Sequence, residues 1–124
     1  MKIYLAGPIQ NCSDAEANDW RNQIIDSFPQ HNFFNPMDRD YRGEELENSH
    51  ALVALDKSDI DTSDLVIANC PRASYGTAME ILYAHSRNIP VWVSTQRLSP
   101  WLIVHSHKIF QSLEHLTQEL FRHG

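Results

Sequence analysis

Short apolar runs alternate with longer segments of helical spacing along this chain, and few folds accommodate that alternation. Lys2-Ile3-Tyr4-Leu5-Ala6 is apolar and partly β-branched and is closed by Gly7-Pro8, as expected of a buried parallel strand ending in a tight loop. Ser13-Asp14-Ala15-Glu16 then forms a capping box, and Ala17, Trp20, Ile24 and Phe28 recur at helical spacing until Pro29. Phe33 to Pro36 reads as a short strand, and residues 37–48 as a polar, mobile surface loop. A helical segment through Leu52, Val53 and Leu55 leads to Asp56, and Asp64 to Cys70 is the clearest strand. Thr77 to Ser86 reads as a helix, Pro90 to Ser94 as a strand, Ser99-Pro100-Trp101 as the start of a short helix, and Ser112 to Phe121 as a closing amphipathic helix. Strands alternating with helices require right-handed crossovers and a parallel sheet covered on both faces. The expected fold is therefore α/β, a doubly wound, Rossmann-like or flavodoxin-like parallel sheet of about five strands. With 124 residues, 42% of them hydrophobic, residues 1–124 make one domain with one core.

Composition narrows the partners. A formal charge of −6 argues against nucleic acid, whose binders carry a basic face, and no apolar run is long enough to cross a bilayer. Cys12 and Cys70 lack CxxC spacing, and the first residues lack the pattern of a secretory signal, so a reduced, cytoplasmic setting is expected. The histidines His105, His107 and His115 have no metal-ligand spacing, HExxH and P-loop patterns are missing, and GxGxxG is absent. Neither a metal nor another cofactor is expected.

In sheets of this kind ligands sit beyond the carboxyl ends of the strands, which points to Gly7 to Asn11, Asn35 to Asp38, Pro71 to Gly76 and Thr95 to Ser99. The turn after Cys70 runs Ser74-Tyr75-Gly76-Thr77-Ala78-Met79-Glu80. Thr77 to Glu80 is itself a capping box, in which Glu80 has a purely structural role. The same carboxylate, in a first helical turn and held ionised by the helix dipole, would also suit a nucleophile toward an anomeric carbon. Departure of a base then needs a proton. Asp56, by default part of a solvated, acidic helix end and connection with Asp59, Asp61 and Asp64, would supply it if its acidity were weakened by burial or by Glu80. Tyr4 on the first strand is more often core than catalyst, yet its buried hydroxyl needs a partner, and a carboxylate would serve. Gly7 and Ile9 can offer backbone N–H groups to an anion, whereas Pro8 cannot.

Taken together, Ile3 to Ile9, Asp56 through Val66, and Gly76-Thr77-Ala78-Met79-Glu80-Ile81 followed by Tyr83-Ala84 resemble the nucleoside 2-deoxyribosyltransferase family, which includes 2'-deoxynucleoside 5'-phosphate N-hydrolases. The resemblance implies that Glu80 attacks C1', that Tyr4 orients Glu80, and that Asp56 assists departure of the base. It also implies that Ser74 marks the hydrolase branch, where the transferases have Asp, because a hydroxyl tolerates a 5'-phosphate that a carboxylate would repel. Gly76 would let that phosphate approach the helix start. Ser99 would reach a neighbouring subunit's phosphate site, which implies a homodimer or higher homo-oligomer. Arg21, Arg39, Arg42 and Arg72 are all candidates for a phosphate-holding arginine. The expected substrate is a small-molecule deoxynucleotide or deoxynucleoside, cleaved by water through a covalent deoxyribosyl-Glu80 intermediate. Transfer of the sugar to another base is the alternative. A non-catalytic nucleotide-binding or sensing domain would not require Tyr4, Asp56 and Glu80 together, and the chain offers no second nucleotide lobe for NAD glycohydrolysis.

Overall fold

The computed structural model describes residues 1–123. Five strands, β1 (Lys2–Ala6), β2 (Asn32–Phe34), β3 (Leu65–Cys70), β4 (Val91–Thr95) and β5 (Lys108–Phe110), form one sheet in the order β2-β1-β3-β4-β5. All of its pairings are parallel, with Ile3 opposite Leu65 and Ile67 opposite Trp92. The helices are α1 (Asp14–Ser27), α2 (Ser49–Asp61), α3 (Tyr75–Ser86), α4 (Pro100–His105) and α5 (Leu113–His123). The doubly wound α/β expectation holds, and the flavodoxin-like strand order puts the reversal of winding between β1 and β3.

Alternate residues of each strand serve two cores. On one face Ile3, Leu5, Leu65, Ile67 and Trp92 pack against Trp20 and Ile24 of α1 and Leu116 and Leu120 of α5. On the other, Tyr4, Ala6, Val66, Ala68, Val91 and Val93 meet Ile60 of α2 and Ile81 and Ala84 of α3. No helix among the described residues is long and apolar enough to cross a membrane.

Three expectations are corrected. The sequence pattern assigns the fifth strand to no segment, because Lys108-Ile109-Phe110 is too short to stand out; β4 recruits it through His107, whose N–H donates to the Val91 carbonyl and whose Nδ1 accepts from the Val91 N–H. The helix that leads to Asp56 runs on to Asp61 because Ile60 is fully buried, so Asp56, Asp59 and Asp61 all belong to the helix end and only Asp64 to the connection. Residues 37–48 are turns and irregular chain at the surface, as expected: a 3-10 turn, Pro36–Asp38, opens the segment, and Arg42 bridges Asp14 at 2.6 Å and Asp40 at 2.8 Å. The helix expected from Thr77 begins at Tyr75, with Ser74 as its cap.

The loop after β1 is held from beneath by Arg21. This fully buried side chain donates to three backbone carbonyls, those of Leu5, Gly7 and Ala17, and stacks on Trp20. Such packing leaves no room at Gly7, where a Cβ would lie 2.7 Å from Trp20 Cζ2 and 3.2 Å from the Asn69 carbonyl oxygen. Glycine is needed there for a packing reason, whatever its N–H group does. Gly7→Ala is expected to lower unfolding free energy by about 1–3 kcal/mol, as overpacking does. A denaturant midpoint equal to that of the unsubstituted protein would contradict this account.

Candidate active site

Glu80 lies six residues after the capping Ser74, in the second turn of α3, where it takes no part in a cap. The expected Thr77–Glu80 capping box does not form; the Ser74 hydroxyl accepts from the Thr77 N–H at 3.4 Å and from the Thr77 hydroxyl at 3.2 Å. Glu80 falls instead beside the inward stripe of α3 formed by Thr77, Ile81 and Ala84. That stripe faces β1, and the buried Tyr4 hydroxyl donates a hydrogen bond to Glu80 Oε2. The Tyr4 expectation is thereby met in its geometry: a core aromatic with its polar end on a carboxylate.

Glu80 is half-buried, with its carboxyl group on the buried Tyr4 hydroxyl. Desolvation pushes its carboxyl up from 4.5 to about 8, reinforced by the charge of Asp56, while the Tyr4 hydrogen bond and the Arg21 charge pull it down. The expectation that the helix start holds Glu80 ionised is corrected accordingly: the residue sits a turn too deep. Cys70, at the end of β3, shares the same environment, and burial followed by the charge of Glu80 raises its thiol to about 11. Arg21 lies near enough to lower Glu80 although its own guanidinium is pushed down to about 10 by burial.

Asp56 approaches from α2. Its carboxyl is raised chiefly by desolvation, against the opposing effect of Arg39, whose Nη2 donates to Asp56 Oδ1 at 3.2 Å and to Asp59 Oδ2 at 2.6 Å. Spacing in the sequence leaves Arg39 one of four phosphate candidates and gives Asp59 no role. The signal lies in the fold: Arg39 follows the 3-10 turn after β2, 17 residues from Asp56. The structure therefore brings together Tyr4, Asp56 and Glu80, and adds Arg39, Asp59, Arg21 and Cys70 around them.

The remaining sites lie around the strand ends. Gly7 is buried and Ile9 partly exposed in the loop after β1. Gly76 occupies the first turn of α3, with no atom of the rest of the protein within 4 Å of the place a Cβ would take. Ser99 caps α4, accepting from the Leu102 N–H at 3.2 Å. Beside the loop after β1 lies a cleft of about 300 Å³, lined by Pro8, Cys12, Trp20, Asn69 and Arg72 together with the acidic Glu16 and Asp19. Among the phosphate candidates, Arg21 is buried under backbone carbonyls, and Arg39 and Arg42 are bound to carboxylates. Arg72 is exposed, and its Nη2 touches Cys12 Sγ at 2.8 Å. No group of His, Cys, Asp and Glu among the described residues is arranged to hold a metal ion.

A family model described as nucleoside 2-deoxyribosyltransferase matches residues 3–114. The chain belongs to the nucleoside 2-deoxyribosyltransferase family. No curated protein sequence matches it significantly. Among solved structures it is similar to a 2-deoxyribosyltransferase from the psychrotolerant bacterium Bacillus psychrosaccharolyticus, with a TM-score of 0.75 and 17% identity over 94% of this chain and 90% of that one. A conserved protein from Enterococcus faecalis V583 gives a TM-score of 0.76 at 20% identity over 99% and 98% of the two chains. The CMP N-glycosidase of Clostridium botulinum gives 0.68 at 17% identity over the full length of both. At these identities the structural likenesses speak for the fold, and the family match supports an enzyme that transfers or cleaves at the N-glycosidic bond of nucleosides or nucleotides.

A carboxyl raised on folding makes stability depend on pH. Between about 4.5 and about 8 the unfolded chain ionises Glu80 while the folded one keeps it protonated, so folded stability falls as pH rises through that window. Unfolding free energies at the two ends of the window are expected to differ by up to about 4 kcal/mol from this group. Glu80→Gln, which can still accept from Tyr4, should give the flatter curve, and parallel curves for the two proteins would refute the buried-carboxyl assignment.

Proposed function

We propose that this protein hydrolyses the N-glycosidic bond of a 2'-deoxynucleoside 5'-monophosphate, with Glu80 as nucleophile, Asp56 as acid and base, and Tyr4 orienting Glu80. The observation that carries this reading is the convergence of two partly buried carboxyls and one buried hydroxyl at the β1/β3 reversal. A binding or sensing module has no need of that arrangement, and each carboxyl in it costs stability when it ionises.

In the proposed reaction an ionised Glu80 oxygen forms a bond to C1' as the bond from C1' to the base nitrogen breaks. That electron pair leaves with the base, which takes the proton of Asp56. Water then attacks C1' and gives a proton to the Asp56 carboxylate, and the Glu80 carboxylate leaves. The products are free base and deoxyribose 5-phosphate. Across the cycle the two carboxyls hold one proton between them, so the rate is bell-shaped in pH, with its alkaline limb near about 8.

The phosphate half of the reading rests on the start of α3. Ser74 supplies a neutral hydroxyl where a carboxylate would repel an anion, Gly76 leaves open space over the first N–H groups of the helix, and in this reading the N–H groups of Gly7 and Ile9 in the loop after β1 complete the anion site. Arg72, the exposed cation of a cleft that also holds Glu16 and Asp19, is the arginine we assign to the phosphate. Transfer to a second base would use the same covalent intermediate and differs only in what occupies the acceptor pocket.

Each deoxynucleoside monophosphate and deoxynucleoside, incubated with and without a free acceptor base, should distinguish the outcomes by released base. Release from the monophosphates without acceptor is expected, together with a loss of at least about 10³-fold in Glu80→Ala. Release only from nucleosides with an acceptor would establish the transferase instead, and an active Glu80→Ala would remove the nucleophile.

The same proposal includes a homodimer in which Ser99 closes the neighbouring phosphate site. The outer face of α3 and α4 supports it: Met79 and Trp101 are 67% and 73% exposed, and together with Leu82 and Leu102 they line a shallow groove of about 170 Å³. Adjacent Leu98, Ile103 and Val104 extend the exposed apolar area to either side of Ser99. Sedimentation should give a dimer that Trp101→Asp dissociates, with loss of phosphate-dependent turnover; a monomeric, fully active unsubstituted protein would exclude this arrangement.

A further inference from the structure

We propose that Asp59 and Arg39 form a positioning pair that decides where the site's proton resides: by taking the nearer share of the Arg39 guanidinium, Asp59 leaves Asp56 able to carry the proton the departing base requires. This rests on the assignment of Glu80 as nucleophile and Asp56 as acid.

The geometry is one nitrogen with two claimants. Arg39 Nη2 lies 2.6 Å from Asp59 Oδ2 and 3.2 Å from Asp56 Oδ1. The two aspartates are three residues apart on α2, hence neighbours on one face of the helix. Arg39 itself is held by a short, capped turn: the Asn35 side chain accepts from the Met37 N–H at 3.0 Å, and the Arg39 N–H donates to the Pro36 carbonyl at 3.0 Å. Its guanidinium is 30% exposed, while the two carboxylates are 18% and 20% exposed, so the contest is settled largely out of water.

That division of charge has a chemical consequence. With a single proton shared between Asp56 and Glu80, two arrangements compete, and only the one with protonated Asp56 and ionised Glu80 can react. Tyr4 from β1 and Arg21 from α1 favour ionised Glu80. An Arg39 fully committed to Asp56 would ionise Asp56 and return the proton to Glu80, leaving the nucleophile blocked. Asp59 prevents this by holding the guanidinium on its own side. The charged and titratable groups acting on Asp56 are thus Tyr4, Glu80, Arg39, Asp59 and, more remotely, Arg21.

Two substitutions pull in opposite directions. In Asp59→Asn the guanidinium is free to close on Asp56, so the acid limb of base release should move down by about one pH unit and the maximal rate should fall about tenfold. In Arg39→Met the acid limb should move up. Carbon-13 carboxyl titration of aspartate-labelled protein, followed by NMR without substrate, should show Asp56 becoming a stronger acid in the first variant and a weaker one in the second. Opposite displacements support the positioning pair, and general loosening of the fold would not produce them. An unchanged Asp56 titration in Asp59→Asn, or displacements of the same sign in both variants, overturns it. Because the titration needs no turnover, its outcome is separate from that of Glu80→Ala, which tests the nucleophile.

Discussion

A carboxyl group placed where water is scarce must be given partners by the rest of the molecule, and the hydrogen bond from Tyr4 to Glu80 is how this fold does so. Tyr4 is fully buried in β1, on the face covered by α2 and α3, so its hydroxyl cannot turn to solvent. Glu80 sits on the edge of the inward stripe of α3, with Thr77, Ile81 and Ala84 filling the rest. Each polar group answers the other's need, and together they tie the rotation of α3 to the register of β1 at the point where the winding reverses. A helix turned away from this setting would leave the buried Tyr4 hydroxyl without its partner.

The charges around that bond are layered. Arg21 lies beneath the sheet end, committed to three backbone carbonyls, and acts on Glu80 only through its field. Arg39 lies on the opposite side and acts through contact with Asp56 and Asp59. The first arginine holds the loop after β1 in shape, which is why Gly7 has no room for a Cβ; the second ties the segment after β2 to α2. One site is thereby braced from both faces of the sheet.

The elements legible in the sequence are those whose signal is local and long enough. β1, β3 and β4 are continuous apolar runs, and α1 announces itself through the Ser13–Glu16 capping box, which forms with both of its hydrogen bonds. β5 is not legible because three residues carry no period, and its pairing depends on a histidine contact to a distant strand. The start of α3 is ambiguous in the sequence because Ser74 and Thr77 are both competent caps; Ser74 prevails, and Thr77 becomes its buried partner. The trio Tyr4, Asp56 and Glu80 is legible through the family's spacing, whereas its protonation is not. Helix position suggests an ionised Glu80, and only the packing of α3 on β1 reveals the desolvation that reverses this. Arg39 and Asp59 belong to the same category, since their effect depends on a contact across 20 residues of chain.

A nucleophile that resists ionisation looks like a poor choice until charge development at the substrate is considered. In the proposed reaction C1' acquires positive character as the base departs, and a positive centre next to Glu80 reverses the penalty that burial imposes on its carboxylate. The opposing charge is strongest when the glycosidic bond is most nearly broken, so the stabilisation is greater in the transition state than in the resting complex, which is what acceleration requires. The same desolvation that raises Glu80 toward about 8 strengthens that attraction, because charges that are partly buried are screened less than exposed ones. Tyr4 and Arg21 then need only keep the ionised form accessible near neutral pH, without solvating it so well that the advantage at C1' is lost.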